Sequence, residues 1–320
     1  MLSFIKNKSS IPISTIYGGQ YDNKTLYLSD EIIKNNVIEQ NPMDYIDESI
    51  FYDKQSRRKV KASDINNIVR ALEKNKDVIG NEKLVKLFEK SKKKIENNLS
   101  KEIILQSGEM QFLPSQKNPK GEVQRHVIYI SGMSGSGKST WIGNYMLEYN
   151  IMYPKNEIFV FSRLSEEKAF EKVKNLKRIT LDDDFLDAND EDPFTSEDFK
   201  NTLVIFDDVD TLHDEKIKKI VINLRDDLLE TGRRYNINMC ITNHIILNYN
   251  KTRTLINEAT HYVFFKGVNK MMLTRFLKEY IGISSKDDLN KIFTLPSRWT
   301  LISKTYPSYI MYSSGAFITN

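Results

Sequence analysis

Apolar and polar positions follow two different periods along this chain, and the regular change from one to the other begins at Arg125. From there, short β-branched and aromatic runs give way repeatedly to stretches of helical spacing. His126–Ser131, Glu157–Phe161, Leu203–Phe206, Asn238–Thr242 and His261–Phe265 read as strands. Lys138–Glu148 reads as a helix and about Asp214–Leu229 as a long amphipathic one, followed later by Lys270–Tyr280 and Ser285–Phe293. Two β-prone runs, Trp299–Lys304 and Tyr309–Tyr312, close the chain. Strands alternating with helices predict an α/β fold with a mostly parallel sheet covered on both faces.

Residues 1–124 lack that alternation. A β-prone piece from Ile11 to Leu28 leads into a short helical stretch from Ser29. A helix is expected from the N-cap candidate Ser63 through Ile68, Val69 and Leu72. A second, over about Glu82–Leu99, sets Leu84, Leu87, Phe88 and Ile95 on one face and Lys83, Lys86, Lys90, Lys92, Lys93 and Lys94 on the other. Ile103–Leu113 reads as a hairpin around Ser107-Gly108. The loop Pro114–Gly121 then marks a domain boundary, with a smaller α+β region over 1–124 and the alternating domain over 125–320.

Bulk composition narrows the class. The chain has 320 residues, 40% hydrophobic and 28% charged, which fits one large globular domain with an appendage, or two domains. A formal net charge of +4 permits a nucleic-acid partner without arguing for one. Lysine, asparagine and isoleucine are heavily used, a bias that an AT-rich genome produces by itself, so lysine clusters carry little weight. The single cysteine, Cys240, excludes an internal disulfide and points to a reducing compartment; it reads as a buried strand residue. No run approaches the ~20 apolar residues of a membrane helix, and Met1–Lys6 lacks a secretory apolar core. The expectation is an intracellular protein without a membrane partner. The acidic run Asp182–Asp198 reads as a solvated surface insertion.

The chemistry is concentrated in the second region. Gly132-Met133-Ser134-Gly135-Ser136-Gly137-Lys138-Ser139 matches the phosphate-loop pattern, preceded by a strand and followed by a helix. Glycines let the backbone wrap a phosphate, and successive N–H groups at a helix N-terminus attract the anion. The nucleotide, read as ATP, is therefore assigned to Gly132 through Ser139 and Thr140. Lys138 serves its β- and γ-phosphates, and Ser139 serves Mg²⁺. The apolar strand Leu203–Phe206 ends in Asp207 and Asp208. Asp207 is assigned to the metal and Asp208 to the attacking water, with Asp210 a third candidate. A second carboxylate beside the metal ligand distinguishes a hydrolase from a small-substrate kinase.

Glu230-Thr231-Gly232-Arg233-Arg234-Tyr235 closes the long helix, with Gly232 as the expected C′ glycine. Arg233 and Arg234 suit either a charge delivered to a neighbouring subunit's nucleotide or simple complementation of the helix C-terminus. At the tip of the following strand, Asn243 or His244 fits a sensor of the γ-phosphate.

Taken together, Gly132–Ser139, Phe-Asp-Asp at 206–208, Gly-Arg-Arg-Tyr-Asn-Ile at 232–237 and Thr-Asn-His at 242–244 resemble, in order and spacing, the poxvirus-type genome-packaging ATPases of large DNA viruses. These belong to the FtsK–HerA superfamily. Phe161-Ser162-Arg163 and Ser297-Arg298-Trp299 also look like segments of that group, so the resemblance spans roughly 120–315. It implies a RecA-like core, a homo-oligomeric ring and translocation of double-stranded DNA into a capsid. It also implies a capsid or portal partner, and a location in the host cytoplasm or the virion. It carries the trans-acting role to Arg233. The chain departs from the family's frequent residues in having Asp208 rather than Glu, Arg234 rather than His, and His244 where the cellular pumps often have Gln. The alternatives are a nucleotide-binding scaffold and a small-substrate P-loop kinase.

Overall fold

The computed structural model describes residues 1–6, 10–28, 52–53, 58–59, 101–105, 111–116, 125–246, 249–304 and 308–319. The helices expected from Ser29, from Ser63 and over 82–99, with the lysine face of the last, lie outside the described residues. In chain order the strands are β1 (Leu2–Ser3), β2 (Ile11–Tyr17), β3 (Thr25–Leu28), β4 (Tyr52–Asp53), β5 (Arg58–Lys59), β6 (Glu102–Ile104), β7 (Gln111–Pro114) and β8 (Val127–Ser131). Next come α1 (Lys138–Met152), β9 (Ile158–Ser162), β10 (Leu176–Thr180), α2 (Asp183–Glu191), β11 (Leu203–Phe206), α3 (Glu215–Thr231) and β12 (Asn238–Asn243). The remainder is α4 (Tyr249–Glu258), β13 (His261–Phe265), α5 (Lys270–Phe276), α6 (Lys286–Thr294), β14 (Trp299–Ser303), β15 (Tyr309–Tyr312) and β16 (Gly315–Ile318).

Ten strands form one sheet in the order β10-β9-β11-β12-β8-β13-β14-β15-β16-β6. The six from β10 to β13 are mutually parallel. The last four are added antiparallel. Strand β12 is inserted between the strand that carries the phosphate loop and the strand that ends in the two acids. This is a RecA-like P-loop core: the alternation of strands and helices led one to expect its mostly parallel sheet, and the family resemblance implied its RecA-like form.

The burial pattern explains the choice of residues. Strands β8, β9, β11, β12 and β13 are buried at every position. That is why they read as continuous apolar runs rather than alternating ones. Their side chains nonetheless divide by parity. Val127, Tyr129, Phe161, Val204, Phe206, Met239, Ile241, Tyr262 and Phe264 join α3 to α6 on one face, through residues such as Val221, Leu228, Leu255, Phe276 and Leu289. Ile128, Ile130, Ile158, Val160, Ile205, Cys240 and Val263 face α1 on the other, through Trp141, Ile142, Tyr145, Met146 and Tyr149.

The N-terminal segments share this second face. Strands β1, β3, β2 and β7 form a small antiparallel sheet. Its Leu2, Ile13, Ile16, Leu26, Phe112 and Leu113 belong to the same apolar cluster as α1. Asn144 Nδ2 donates to Gln111 Oε1 at 2.7 Å, and Tyr153 Oη donates to the Gln116 carbonyl at 3.0 Å. The expected boundary at 124 thus runs between segments that pack on one another.

Two local expectations change and a third gains detail. Ile103–Leu113 is not a hairpin: β6 pairs with β16 and β7 with β2, so the two runs go to different sheets. Both runs contain strands, but strand character says nothing about the partner. The acidic run presents a solvated surface, as expected, and is anchored beneath it. Its carboxylates are exposed, but Asp182 caps α2 by accepting from the Phe185 N–H at 3.1 Å. Phe185 and Phe199 are buried against Phe161 and Phe159. Finally, Gly232 is not a left-handed cap. It has φ −59° and ψ −17°, and the left-handed residue of that turn is Asn236, at φ 55°. A Cβ on Gly232 would collide with the Leu228 carbonyl oxygen and stand 3.0 Å from Arg125 Nη2. Close approach, rather than backbone conformation, requires glycine there.

Two histidines are sealed in the core at the N-terminal ends of β8 and β13. His126 Nδ1 lies 2.9 Å from Tyr145 Oη, and His261 lies between Thr260 Oγ1 at 2.8 Å and Tyr309 Oη at 3.1 Å. The rings meet edge to face with centroids 4.9 Å apart. Burial pushes His126 down to about 4, and burial together with His126 pushes His261 well below its usual value. Both are neutral in the fold near pH 7. The unfolded chain binds these protons from about pH 6.5 downward while the folded chain does not, so stability falls as pH falls below that point. Chemical denaturation at pH 7.5 and pH 5 should show a loss of about 2 kcal/mol attributable to His126 alone. A His126→Gln variant should lose correspondingly less over the same interval.

Candidate nucleotide-binding site

Because β8 to β13 run parallel, the loops after them emerge along one edge of the sheet, and this edge holds the site. The phosphate loop leaves β8 at Gly132, whose N–H donates to the Asn243 carbonyl at the tip of β12 (3.3 Å). Gly135 and Gly137 have φ of 72° and 109°, open to glycine at little cost. Gly132 is needed for a different reason: a Cβ there would sit 2.8 Å from Phe265 Cβ and 2.7 Å from Ser136 Oγ. The end of β13 is therefore the floor on which the loop rests, a contact that the sequence does not advertise.

Lys138, the first residue of α1, is buried. Its Nζ donates to the Gly132 carbonyl at 2.9 Å and lies 3.4 Å from Asp208 Oδ1. Asp207 continues the β11 ladder, its N–H donating to the Phe161 carbonyl at 2.9 Å. Asp208 turns out of the ladder with φ 49° and ψ 35°. Its N–H donates to Thr242 Oγ1 at 2.7 Å. The same hydroxyl lies 3.0 Å from Asp207 Oδ1 and 2.9 Å from Asp208 Oδ1. His244 Nε2 is 3.0 Å from Asp208 Oδ2.

Lys138, Asp207, Asp208 and His244 are thus brought together, and Ser139 follows Lys138 on the first turn of α1. Met133, Ser134, Gly135 and Thr140 are exposed on the loop and helix start. Asn243 is placed differently: its Nδ2 donates to Tyr129 Oη at 3.3 Å, turned into the sheet rather than toward the acids. Thr242, not singled out in the sequence, makes contacts that Asn243 does not. Its one visible signal is a hydroxyl in the otherwise apolar run Met239-Cys240-Ile241. Arg233 is not brought to the site. It is exposed and lies before the N-terminal end of β12, so the length of that strand, about 16 Å, separates it from its own phosphate loop.

The electrostatics are unbalanced in favour of a cationic ligand. Burial, then the neighbouring Asp208, raise Asp207; the same two causes in the same order raise Asp210. Both acids are penalised for carrying charge in this setting. Ser131 Oγ, Ser136 Oγ, Asn243 Oδ1 and Asp210 Oδ1 are buried without a hydrogen-bond partner, a concentration of unsatisfied polar atoms beside the phosphate loop. Among the described residues no group of three or more His, Cys, Asp or Glu is arranged to hold a metal. Ser139 and Asp207 carry oxygen donors of the kind that share Mg²⁺ with phosphate in nucleotide sites.

A phosphate loop on a buried parallel strand, with paired acids two strands away and the intervening strand closing the site, defines a P-loop nucleotide-binding protein. A family model described as Novel STAND NTPase 3 matches residues 122–261. Uncharacterized protein V3 of the Sputnik virophage is 39% identical over 194 residues, covering 60% of this chain and 76% of that protein. The chain belongs to the family of that virophage protein. It is also similar in structure to the genome packaging NTPase B204 of Sulfolobus turreted icosahedral virus 2 in complex with ATP-gammaS, at 17% identity. That match covers 61% of this chain and 97% of the other, with a TM-score of 0.39. Similarity to the cytoplasmic domain of the type VII secretion ATPase EccC of Thermomonospora curvata is at 14% identity, over 67% of this chain and 28% of that one, with a TM-score of 0.41. Among the described residues no helix is long and apolar enough to cross a membrane.

The Phe265 floor predicts an effect that ordinary loop strain does not. Gly132→Ala should weaken nucleotide binding by about tenfold or more, because β13 cannot retreat from the new methyl. Titration with a fluorescent ATP analogue measures this, and an unchanged affinity would refute the contact.

Proposed function

We propose that this chain is an ATP-hydrolysing motor that acts as a homo-oligomeric ring and moves double-stranded DNA into a viral capsid. The observation that carries the hydrolytic part is the convergence of Lys138, Asp207 and Asp208 at one strand edge while Arg233 stands exposed at the other. The packaging part is supported by the resemblance of the motifs at 132–139, 206–208, 232–237 and 242–244 to viral packaging ATPases, and by kinship with a virophage protein. A capsid or portal component is then the docking partner, and the host cytoplasm or the virion the place of action.

Each residue has a distinct task in this reading. Lys138 places its ammonium against the β- and γ-phosphates, where charge develops as the phosphoryl group is transferred. Ser139 and Asp207 hold Mg²⁺, which supplies charge neutralisation on the phosphate oxygens when bound with the nucleotide. Asp208 orients the attacking water and accepts its proton. His244 braces the other oxygen of Asp208. Arg233 cannot serve its own site across the length of β12. In a head-to-tail ring it meets the neighbour's nucleotide and stabilises the transferred charge there.

The test is a set of substitutions read by ATP turnover with and without duplex DNA. Lys138→Ala should abolish turnover and weaken ATP binding. Asp208→Asn should keep the nucleotide bound and lower turnover by about 100-fold or more. Arg233→Ala should bind ATP and not hydrolyse it. Mixing Arg233→Ala with Lys138→Ala should recover part of the activity, since some interfaces then pair an intact loop with an intact arginine. Full turnover by Arg233→Ala, or by a monomer, would overturn the trans role. Duplex DNA should bind with little base preference and with affinity that drops steeply with salt. An absence of DNA stimulation would favour a nucleotide-binding scaffold instead.

A further inference from the structure

We propose that Thr242 is the positioning residue of the hydrolytic site: its hydroxyl fixes the backbone turn and the carboxylate of Asp208 and ties them to Asp207. The inference rests on the reading of Asp208 as the water-orienting group. Nothing in the motif pattern singles out this threonine, and Asn243 and His244 are the residues of that strand tip that a sensor role suggests.

Three observations support it. Thr242 has no solvent exposure. A buried hydroxyl is costly unless bonded, and every hydrogen bond of this one goes to the two acidic residues. Secondly, β11 ends at Phe206, and Asp208 leaves the sheet in a left-handed conformation that a side-chain-bearing residue adopts only at a cost. The Asp208 N–H takes Thr242 Oγ1 as its acceptor in place of a backbone carbonyl, so the hydroxyl continues the β11–β12 ladder one step past its end. Thirdly, the resulting turn directs the Asp208 carboxylate toward Lys138 at 3.4 Å and His244 at 3.0 Å. The β11–β12 register stops at Phe206 opposite Ile241, so no ladder carbonyl serves the Asp208 N–H and the Thr242 hydroxyl takes that place.

The hydroxyl has one proton and two carboxylates within reach. It accepts from Asp208 N–H and donates to Asp207 Oδ1 or to Asp208 Oδ1. The two acids are thereby held side by side despite their mutual repulsion, one as metal ligand and the other facing the reacting phosphate.

Thr242→Val keeps shape and branching and removes only the hydroxyl; Thr242→Ser restores it. Three measurements are made on each full-length variant: binding of a non-hydrolysable ATP analogue, ATP turnover, and hydrogen exchange at the Asp208 amide. The valine variant should bind the analogue within about threefold of wild type and turn over ATP about 10- to 100-fold more slowly, the loss expected of a hydrogen bond to a charged group. Its Asp208 amide should exchange faster, having lost its acceptor. The serine variant should match wild type within about threefold on all three. If valine destabilises the fold, Thr242→Ala provides the same comparison. Wild-type turnover and exchange in both hydroxyl-free variants, or a serine variant as impaired as valine, would overturn the proposal. If wild type itself does not hydrolyse ATP, the hydrolytic reading fails, while the Asp208 amide still reports whether Thr242 holds the turn.

Discussion

Pairing of β8 with β12, and of β12 with β11, is the interaction on which the site depends. These strands are parallel and buried on both faces, so each must end at the same edge of the sheet and hand its chain to a loop there. The phosphate loop, the two acids and the Thr242–His244 tip come from three separate parts of the sequence. They meet because the backbone ladder leaves them no other arrangement. A break in this register would not loosen the site gradually; it would flip alternate residues between faces and scatter the groups.

Around that frame the site is held under electrostatic tension. Asp207, Asp208 and Asp210 crowd one strand end, with Lys138 the ammonium that reaches Asp208. Burial and mutual repulsion raise Asp207 and Asp210 together. Local hydrogen bonds stabilise the arrangement only partly, since Asp210 Oδ1 and the hydroxyls of Ser131 and Ser136 have none. A nucleotide with its divalent cation offers what this group of side chains lacks: positive charge for the acids and acceptor oxygens for the hydroxyls and loop amides.

The opposite edge of the sheet has its own organising group. Arg125, just before β8, donates to the Leu228, Leu229 and Ile237 carbonyls at 2.8, 2.9 and 3.0 Å. It closes the C-terminal end of α3 and holds the turn that presents Arg233, with Gly232 packed against its guanidinium. The strand that Arg125 introduces ends in the phosphate loop. One strand therefore connects the exposed arginine turn to the nucleotide loop, and the proposed head-to-tail assembly would link neighbouring sites through it. The small N-terminal sheet shares the apolar cluster of α1 on one face of the large sheet.

Five of the parallel strands and four of the helices after residue 125 were legible because fully buried strands must be continuously apolar and the helices packed on them amphipathic; β10, only partly buried, was missed, as were α2, α4 and β16. The phosphate-loop pattern and Asp207-Asp208 stood out as candidates for a chemical reason, since few residue types can cradle a phosphate or hold a metal. Legibility ended wherever a residue's meaning depended on a distant partner. Ile103–Leu113 carries strand patterning, but pairing of β6 with β16 and of β7 with β2 is decided across the fold. Gly232 signals a special backbone, yet its reason is close approach, by the Leu228 carbonyl oxygen and by the Arg125 guanidinium more than a hundred positions earlier. Thr242, Asn243 and His244 are equally plausible as letters; alternation along β12 and the turn that follows send Asn243 to Tyr129 and leave Thr242 and His244 with the acids. The sequence by itself determined which residues are candidates for the chemistry and most of the elements that carry them. Only the tertiary structure decided which side chains share that chemistry, because hydrogen-bond partners across a sheet are set by register and not by proximity along the chain.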